Sequence, residues 1–121
     1  MFLIGIRGAT TVEANTQAAI LARTEELLQA MMVENNLVED DLVSIIFSLT
    51  DDLNAVYPAA AAREMGLLNT PLFCTREIPV PGSLASCVRI LIHANSSLQK
   101  DEVEHIYLHG AKQLRPDLSR G

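Results

Sequence analysis

Residues 2–12 read FLIGIRGATTV, and this stretch decides the fold. It is dominated by apolar and β-branched residues without a 3.6-residue period, which predicts a strand. Alternation then places Leu3, Gly5, Arg7, Ala9 and Thr11 on one face and Phe2, Ile4, Ile6 and Gly8 on the other. The residues nearest the charge on its own face, Gly5 and Ala9, are small, which leaves room there for something other than side chain. Residues 87–95, CVRILIHAN, repeat the pattern: Arg89 shares a face with Cys87, Leu91 and His93, opposite Val88, Ile90 and Ile92. A buried guanidinium is costly unless paired. Each arginine therefore snorkels to a sheet edge, pairs with a nearby carboxylate such as Glu77, or belongs to an anion site.

The remaining elements fall around these two strands. Residues 16–35 form the one long helix, with Thr16 as N-cap. Ile20, Thr24, Leu27 and Met31 line one side of it, Leu21, Leu28 and Met32 lie alongside, and Asn35-Asn36 ends it. A strand at 42–49 leads to a turn at 50–54, and Pro58 opens a short alanine-rich helix, 58–65, stopped by Gly66. Residues 71–78 make a third strand, broken by Pro79-Val80-Pro81-Gly82, with a helical turn at 83–86. A single helical turn at 101–104 and a short fifth strand at 105–109 follow, and Pro116 makes the tail irregular or a 3₁₀ turn. The sum is an α+β fold: one domain over residues 1–121, with a mixed five-stranded sheet packed on one main helix.

Nine Lys and Arg stand against fifteen Asp and Glu, a net charge of −6, which argues against a nucleic-acid or anionic-membrane binder. Seven of the nine cations are Arg, the residue suited to holding carboxylates bidentately. The apolar start is cut by Arg7 and carries no cleavage site, and no apolar run approaches the roughly 18 residues that span a bilayer. Cys74 and Cys87 accordingly read as free thiols of a cytoplasmic protein. His93, His105 and His109 show no metal-ligand spacing. There is no Ser-His-Asp order, glycine-rich phosphate loop or cofactor fingerprint, so any chemistry works by positioning and electrostatics. A pocket inside so short a chain would consume much of its core, which favours a site between subunits.

The opening Gly5-Ile6-Arg7-Gly8-Ala9-Thr10-Thr11-Val12-Glu13 resembles the N-terminal signature of the small trimeric α/β class of chorismate mutase. The resemblance continues in order through Tyr57-Pro58-Ala59, Ala62-Arg63, Cys74 with Glu77, Pro81-Gly82, Cys87-Val88-Arg89, His105 to Leu108, and Leu114 to Leu118. It implies a homotrimeric pseudo-α/β barrel with active sites between subunits, no cofactor and no metal. It also implies the Claisen rearrangement of chorismate to prephenate on the route to phenylalanine and tyrosine. In that pattern Arg89 faces the ether oxygen and a substrate carboxylate, while Arg7 and Tyr107 hold a carboxylate. Glu77 and Cys74 meet the ring hydroxyl and the developing positive ring. Tyr57, Ala59 and Arg63 wall the cleft from the neighbouring subunit, Phe73, Thr75 and Leu114 line it, and Arg115 closes over the ligand.

Tyr57 stands where Phe is usual in the family, and Ala60 where some relatives carry Lys. Arg76 either replaces that charge or points to solvent. If Cys74 and Glu77, on opposite faces by strict alternation, both reach the site, the chain bulges or leaves the sheet near Thr75-Arg76. Two other readings share the Arg cluster: a trimeric sensor of a carboxylate metabolite, and a small trimeric enzyme acting on imino or enamine acids. Neither has evident need of Glu77 paired with Arg89.

Overall fold

In the computed structural model, which describes residues 1–114, two long strands form the spine, β1 (Phe2–Thr11) and β4 (Cys87–Ser96). They pair antiparallel in unbroken register from Phe2 opposite Ser96 to Thr11 opposite Cys87. β2 (Leu42–Leu49) pairs antiparallel with the other side of β4, with an irregularity between Leu42 and Ser44. The edges are parallel: β3 (Leu72–Arg76) beside β2 and β5 (Ile106–Leu108) beside β1. The sheet order is β3-β2-β4-β1-β5. The α+β expectation holds, with one mixed five-stranded sheet and one main helix.

That helix, α1 (Gln17–Glu34), starts where the cap chemistry puts it: Thr16 Oγ1 accepts the Ala19 N–H at 3.1 Å. Ile20, Thr24, Leu27, Leu28 and Met31 are its buried stripe. The stripe lies over Ile4, Ile6, Ile45, Phe47, Ile90 and Ile92, all but inaccessible to water. Buried Thr24 returns its hydroxyl to the Ile20 carbonyl at 2.7 Å. Asn35 ends the helix and ties it to the far end of the chain, donating to the Met31 and Glu104 carbonyls and accepting the Glu104 N–H. α2 (Ala59–Glu64) closes the same core through Ala59 and Ala62, and Gly66, at φ 89°, takes the left-handed turn that stops it.

Three local expectations change. β3 ends at Arg76 rather than at residue 78, because Pro79 and Pro81 cannot donate to a ladder. Residues 83–86 are not helical: Ser86 sits at φ 50° and is held by long-range bonds described below. The turn foreseen at 101–104 is a 3₁₀ turn at Lys100–Glu102, and a further one, Glu39–Asp41, precedes β2. A 3₁₀ helix, His109–Leu114, follows β5 directly. The tail expected around Pro116 lies outside the described residues.

Candidate active site

The sheet has one face covered by α1 and α2 and one open face. Ile4, Ile6 and Gly8 of β1 and Val88, Ile90 and Ile92 of β4 turn to the helices, so alternation sends Arg7 and Arg89 to the open side. There they meet. A cleft of about 200 Å³ is lined by Arg7, Ala9, Ile46, Ser48, Glu77, Arg89, Leu91 and Tyr107. A second lobe of about 420 Å³ continues past the same Glu77 and Arg89 to Thr50, Asp52, Ile78, Val80 and Leu84. Arg89 and Glu77 thus line both spaces.

Glu77 reaches the open face because it continues the alternation of Phe73 and Thr75, although β3 stops one residue earlier. Its N–H still bonds the Leu49 carbonyl at 2.9 Å, so the backbone is pinned while the side chain turns toward β4. Arg89 Nε lies 3.3 Å from Glu77 Oε1, with the two side chains 34% and 26% exposed. This contact is ionic and not a hydrogen bond, because Nε is buried and has no hydrogen-bond partner. The Tyr107 hydroxyl is likewise buried and unpartnered. The Arg7 guanidinium makes no hydrogen bond or ion pair with the described residues. Its backbone N–H donates to His105 Nδ1 at 3.0 Å, which fastens the start of β5 and hence Tyr107 beside it.

Buried polar groups are normally satisfied, so two buried donors without a hydrogen-bond partner, on residues that line one cleft with Arg7, mark a place for a polar ligand. Three donor side chains against one carboxylate suit an anion. Under them a small cluster of Ala9, Cys87, Tyr107 and Ala111, flanked by Leu84 and Leu114, forms a water-poor floor. Burial pushes the Cys87 thiol up to about 11, with the Arg89 guanidinium pulling part of the way back, so Cys87 is a neutral packing residue.

The other expected site residues divide by face. Phe73 and Thr75 pair with Ile46 and Ser48 and share the open face, on the edge strand, with Phe73 65% exposed. Cys74, paired with Phe47, packs against the core cluster on the helix side. It lines a separate groove of about 580 Å³ with Asn54, Tyr57, Pro58, Thr75 and Arg76. Within one chain Cys74 and Glu77 therefore stay on opposite sides, as alternation requires. The chain leaves the sheet after Arg76 with Glu77 still on the face that alternation gives it and Cys74 on the other. Tyr57, 72% exposed, stands at the mouth of that groove; Arg63 is exposed on α2, and Ala59 is buried in the core. Arg115 lies outside the described residues.

Arg76 lies at the surface, its side chain 48% exposed, and it also has a structural task. Its Nη1 donates to the Thr50 carbonyl at 2.9 Å and the Leu53 carbonyl at 3.1 Å, with Nε 3.7 Å from Asp51, so it staples the 50–53 turn. Ser48 and Ile46 were missed as cleft residues, although alternation along β2 opposes them to buried Ile45, Phe47 and Leu49. Cys74 and Cys87 are separate free thiols, one on each side of the sheet. No helix among the described residues is long and apolar enough to cross a membrane.

Known proteins with this sequence pattern share one description. The profile of the family described as chorismate mutase type I matches residues 3–118. Over 115 residues the chain is 46% identical to a chorismate mutase AroH of Thermus thermophilus, covering 94% of each chain. It is 42% identical over 120 residues to the Bacillus subtilis chorismate mutase AroH, covering 98% of this chain and 94% of that one. A solved chorismate mutase structure from Clostridium thermocellum superposes with a TM-score of 0.90 at 51% identity, over 91% of this chain and 98% of the other. With the profile matching nearly end to end and the fold matching at that level, this chain belongs to the type I chorismate mutase family.

Proposed function

We propose that chorismate is rearranged to prephenate in the cleft joining Arg7, Glu77, Arg89 and Tyr107, and that Arg89 carries most of the rate enhancement. The observation behind this is the pair of buried donors without a hydrogen-bond partner, Arg89 Nε and Tyr107 Oη, on residues that line one cleft with an Arg7 guanidinium unpaired among the described residues. Chorismate carries two carboxylates, a ring hydroxyl and the ether oxygen that leaves carbon as the new C–C bond forms. The reaction is unimolecular and pericyclic. It gains from holding the substrate in its folded reactive conformer, and from a positive donor at the oxygen where charge accumulates.

Arg7 and Tyr107 grip a carboxylate at the β5 side of the cleft. Arg89 points at the ether oxygen, and Glu77 accepts the ring hydroxyl while offsetting positive charge on the ring. Because Glu77 already pairs with Arg89, the guanidinium is held in place before substrate arrives and reorganises little during the reaction. Leu114 contributes to the hydrophobic floor. Tyr57, Arg63, Phe73, Cys74 and Thr75 belong to the second wall, supplied by a neighbouring copy in a homotrimer, with Ala59 buried behind it. The groove that groups Tyr57 with Cys74 and Thr75 away from Arg89 supports this division. So do the exposed apolar side chains along the β3 edge, with Ile78 79% and Val80 56% exposed. The protein acts in the cytoplasm, and Arg115 is a further substrate-binding residue.

The test is Arg89→citrulline, which keeps the shape but removes the charge and replaces one terminal NH₂ donor by a carbonyl acceptor. Loss of a preorganised donor costs roughly 2.7–4 kcal/mol, so kcat, followed as the disappearance of chorismate ultraviolet absorbance, falls about 100- to 1000-fold. Near-full kcat in that variant sinks the assignment. Light scattering at three times the chain mass is expected, and a stable monomer with full activity sinks the shared site.

A further inference from the structure

We infer that Asp52 is a positioning residue for Arg89, acting from outside the substrate cleft through Thr50 and Ser86. Arg89 is the third residue of β4, so its aim depends on how the strand begins. The ladders with β1 and β2 hold the strand from Cys87 onward, and the entry into it, at Ser86 and Cys87, is fastened by Asp52 and what it bonds. Asp52 Oδ2 accepts the Ser86 N–H at 2.9 Å and the Ser86 hydroxyl at 3.0 Å, and Oδ1 accepts the Thr50 hydroxyl at 2.5 Å. The same Thr50 hydroxyl accepts the Cys87 N–H at 2.9 Å, and the Thr50 N–H donates to the Cys87 carbonyl at 3.1 Å. From the other side the Val12 N–H reaches the Ser86 carbonyl at 2.8 Å.

Ser86 needs this support. Its φ of 50° is a left-handed backbone that a residue with a Cβ adopts only when its surroundings impose it. Asp52 imposes it across 34 residues of sequence, joining the turn after β2 to the residue before β4. Only a carboxylate serves. Three donors converge on two oxygens, and an asparagine of the same shape would turn an NH₂ group toward at least one of them. Thr50 is likewise committed, its proton to Asp52 and its lone pair to Cys87, so losing the carboxylate frees the hydroxyl to rotate. Asp52 also lines the 420 Å³ lobe with Glu77 and Arg89, which places the lock beside the groups it aligns.

This inference rests on the assignment of Arg89 to the ether oxygen, and the test separates the two. Asp52→Asn is compared with wild type in kcat and KM, in the Arg89 background and again in an Arg89→Lys background. Misplacing a catalytic group costs kcat before binding, so Asp52→Asn lowers kcat roughly tenfold while KM stays within about twofold. In the Arg89→Lys background, where no guanidinium remains to aim, the same change costs less than about twofold. Adding Ser86→Gly to Asp52→Asn restores most of kcat, because glycine takes φ 50° unaided. Full kcat in Asp52→Asn, an equal loss in both backgrounds, or no rescue by Ser86→Gly overturns the proposal while leaving the Arg89 assignment intact. Full kcat in Arg89→Lys overturns that assignment and this inference with it. If circular dichroism shows Asp52→Asn unfolded at the assay temperature, Ser86→Ala, which removes one of the three bonds, is taken through the same two backgrounds. The criterion is unchanged: a kcat loss confined to the Arg89 background upholds the lock, and any other pattern overturns it.

Discussion

Gly8→Ala tests the packing that carries Arg7. Gly8 lies between Arg7 and Ala9 on the core face of β1, bonded into both neighbouring strands opposite Ile90 and Ile106. A Cβ at this position would run into Met31 Sδ and come within 3.1 Å of Leu27 Cδ1 and Met31 Cε. Met31 and Leu27 are both 0% exposed, so neither has free space to retreat into. Overpacking a buried site by a methyl costs about 1–3 kcal/mol. Alanine recovers about 0.5–1 kcal/mol by restricting the unfolded chain, which leaves a net loss of roughly 1–2 kcal/mol. For a chain of this length each kcal/mol moves Tm by about 3–5 °C, so Gly8→Ala melts roughly 3–10 °C lower. The assay is thermal unfolding by circular dichroism without ligand, at one protein concentration, because assembly makes Tm depend on concentration. The double variant Gly8→Ala/Met31→Ala is the control: Met31→Ala alone costs about 2–5 kcal/mol, and the pair loses at least ~1 kcal/mol less than the sum. A Tm for Gly8→Ala at or above wild type, or a strictly additive double variant, refutes the claim that α1 rests on the bare backbone beside Arg7.

Three more outcomes follow from named contacts. Cys87, with its thiol pushed up to about 11, is about one part in a thousand thiolate at pH 8. In native protein a thiol reagent therefore modifies half-buried Cys74 and spares Cys87 until denaturant is added, as mass spectrometry of peptides will register. Asp52 is held below its usual 3.8, first by the Thr50 hydroxyl and then by Ser86. A lowered carboxylate contributes stability that is complete above the unfolded value near 3.8 and fades as pH falls through the folded one. The melting temperature of Asp52→Asn consequently converges on wild type on acidification below about pH 4; a gap that widens there contradicts the lock. Thr16→Ala removes the acceptor of the Ala19 N–H and costs about 1 kcal/mol in denaturant midpoint analysis, with kcat unchanged.

The layout of the sheet was legible because β1 and β4 are its two inner long strands, bonded on both sides, where period two is enforced by burial. Ile4, Ile6, Ile90 and Ile92 have only one way to face the helices, and that choice sends Arg7 and Arg89 out together. α1 was legible for a similar reason, with its stripe and its Thr16 cap both local. What escaped was non-local. Nothing in Ser83-Leu84-Ala85-Ser86 announces a left-handed serine, because its cause is an aspartate 34 residues earlier. Arg76 escaped too, since its partners are main-chain carbonyls that carry no sequence signature.

Cys74 is the position at which sheet geometry bears on assembly. Glu77, one residue past the end of β3, keeps the open face of Phe73 and Thr75, while Cys74, two residues inside the strand, keeps its place against Phe47 and the core. A five-stranded sheet separates them, so one small ligand cannot touch both within a single chain. If Cys74 and Tyr57 contact the molecule that Arg89 holds, they come from another copy, whose β3 and the segment after it carry the exposed Phe73, Ile78 and Val80 against this open face. The sharing of the site would then follow from alternation itself. Short edge strands present one wall outward on each side, and only a neighbour can bring the second wall to the first.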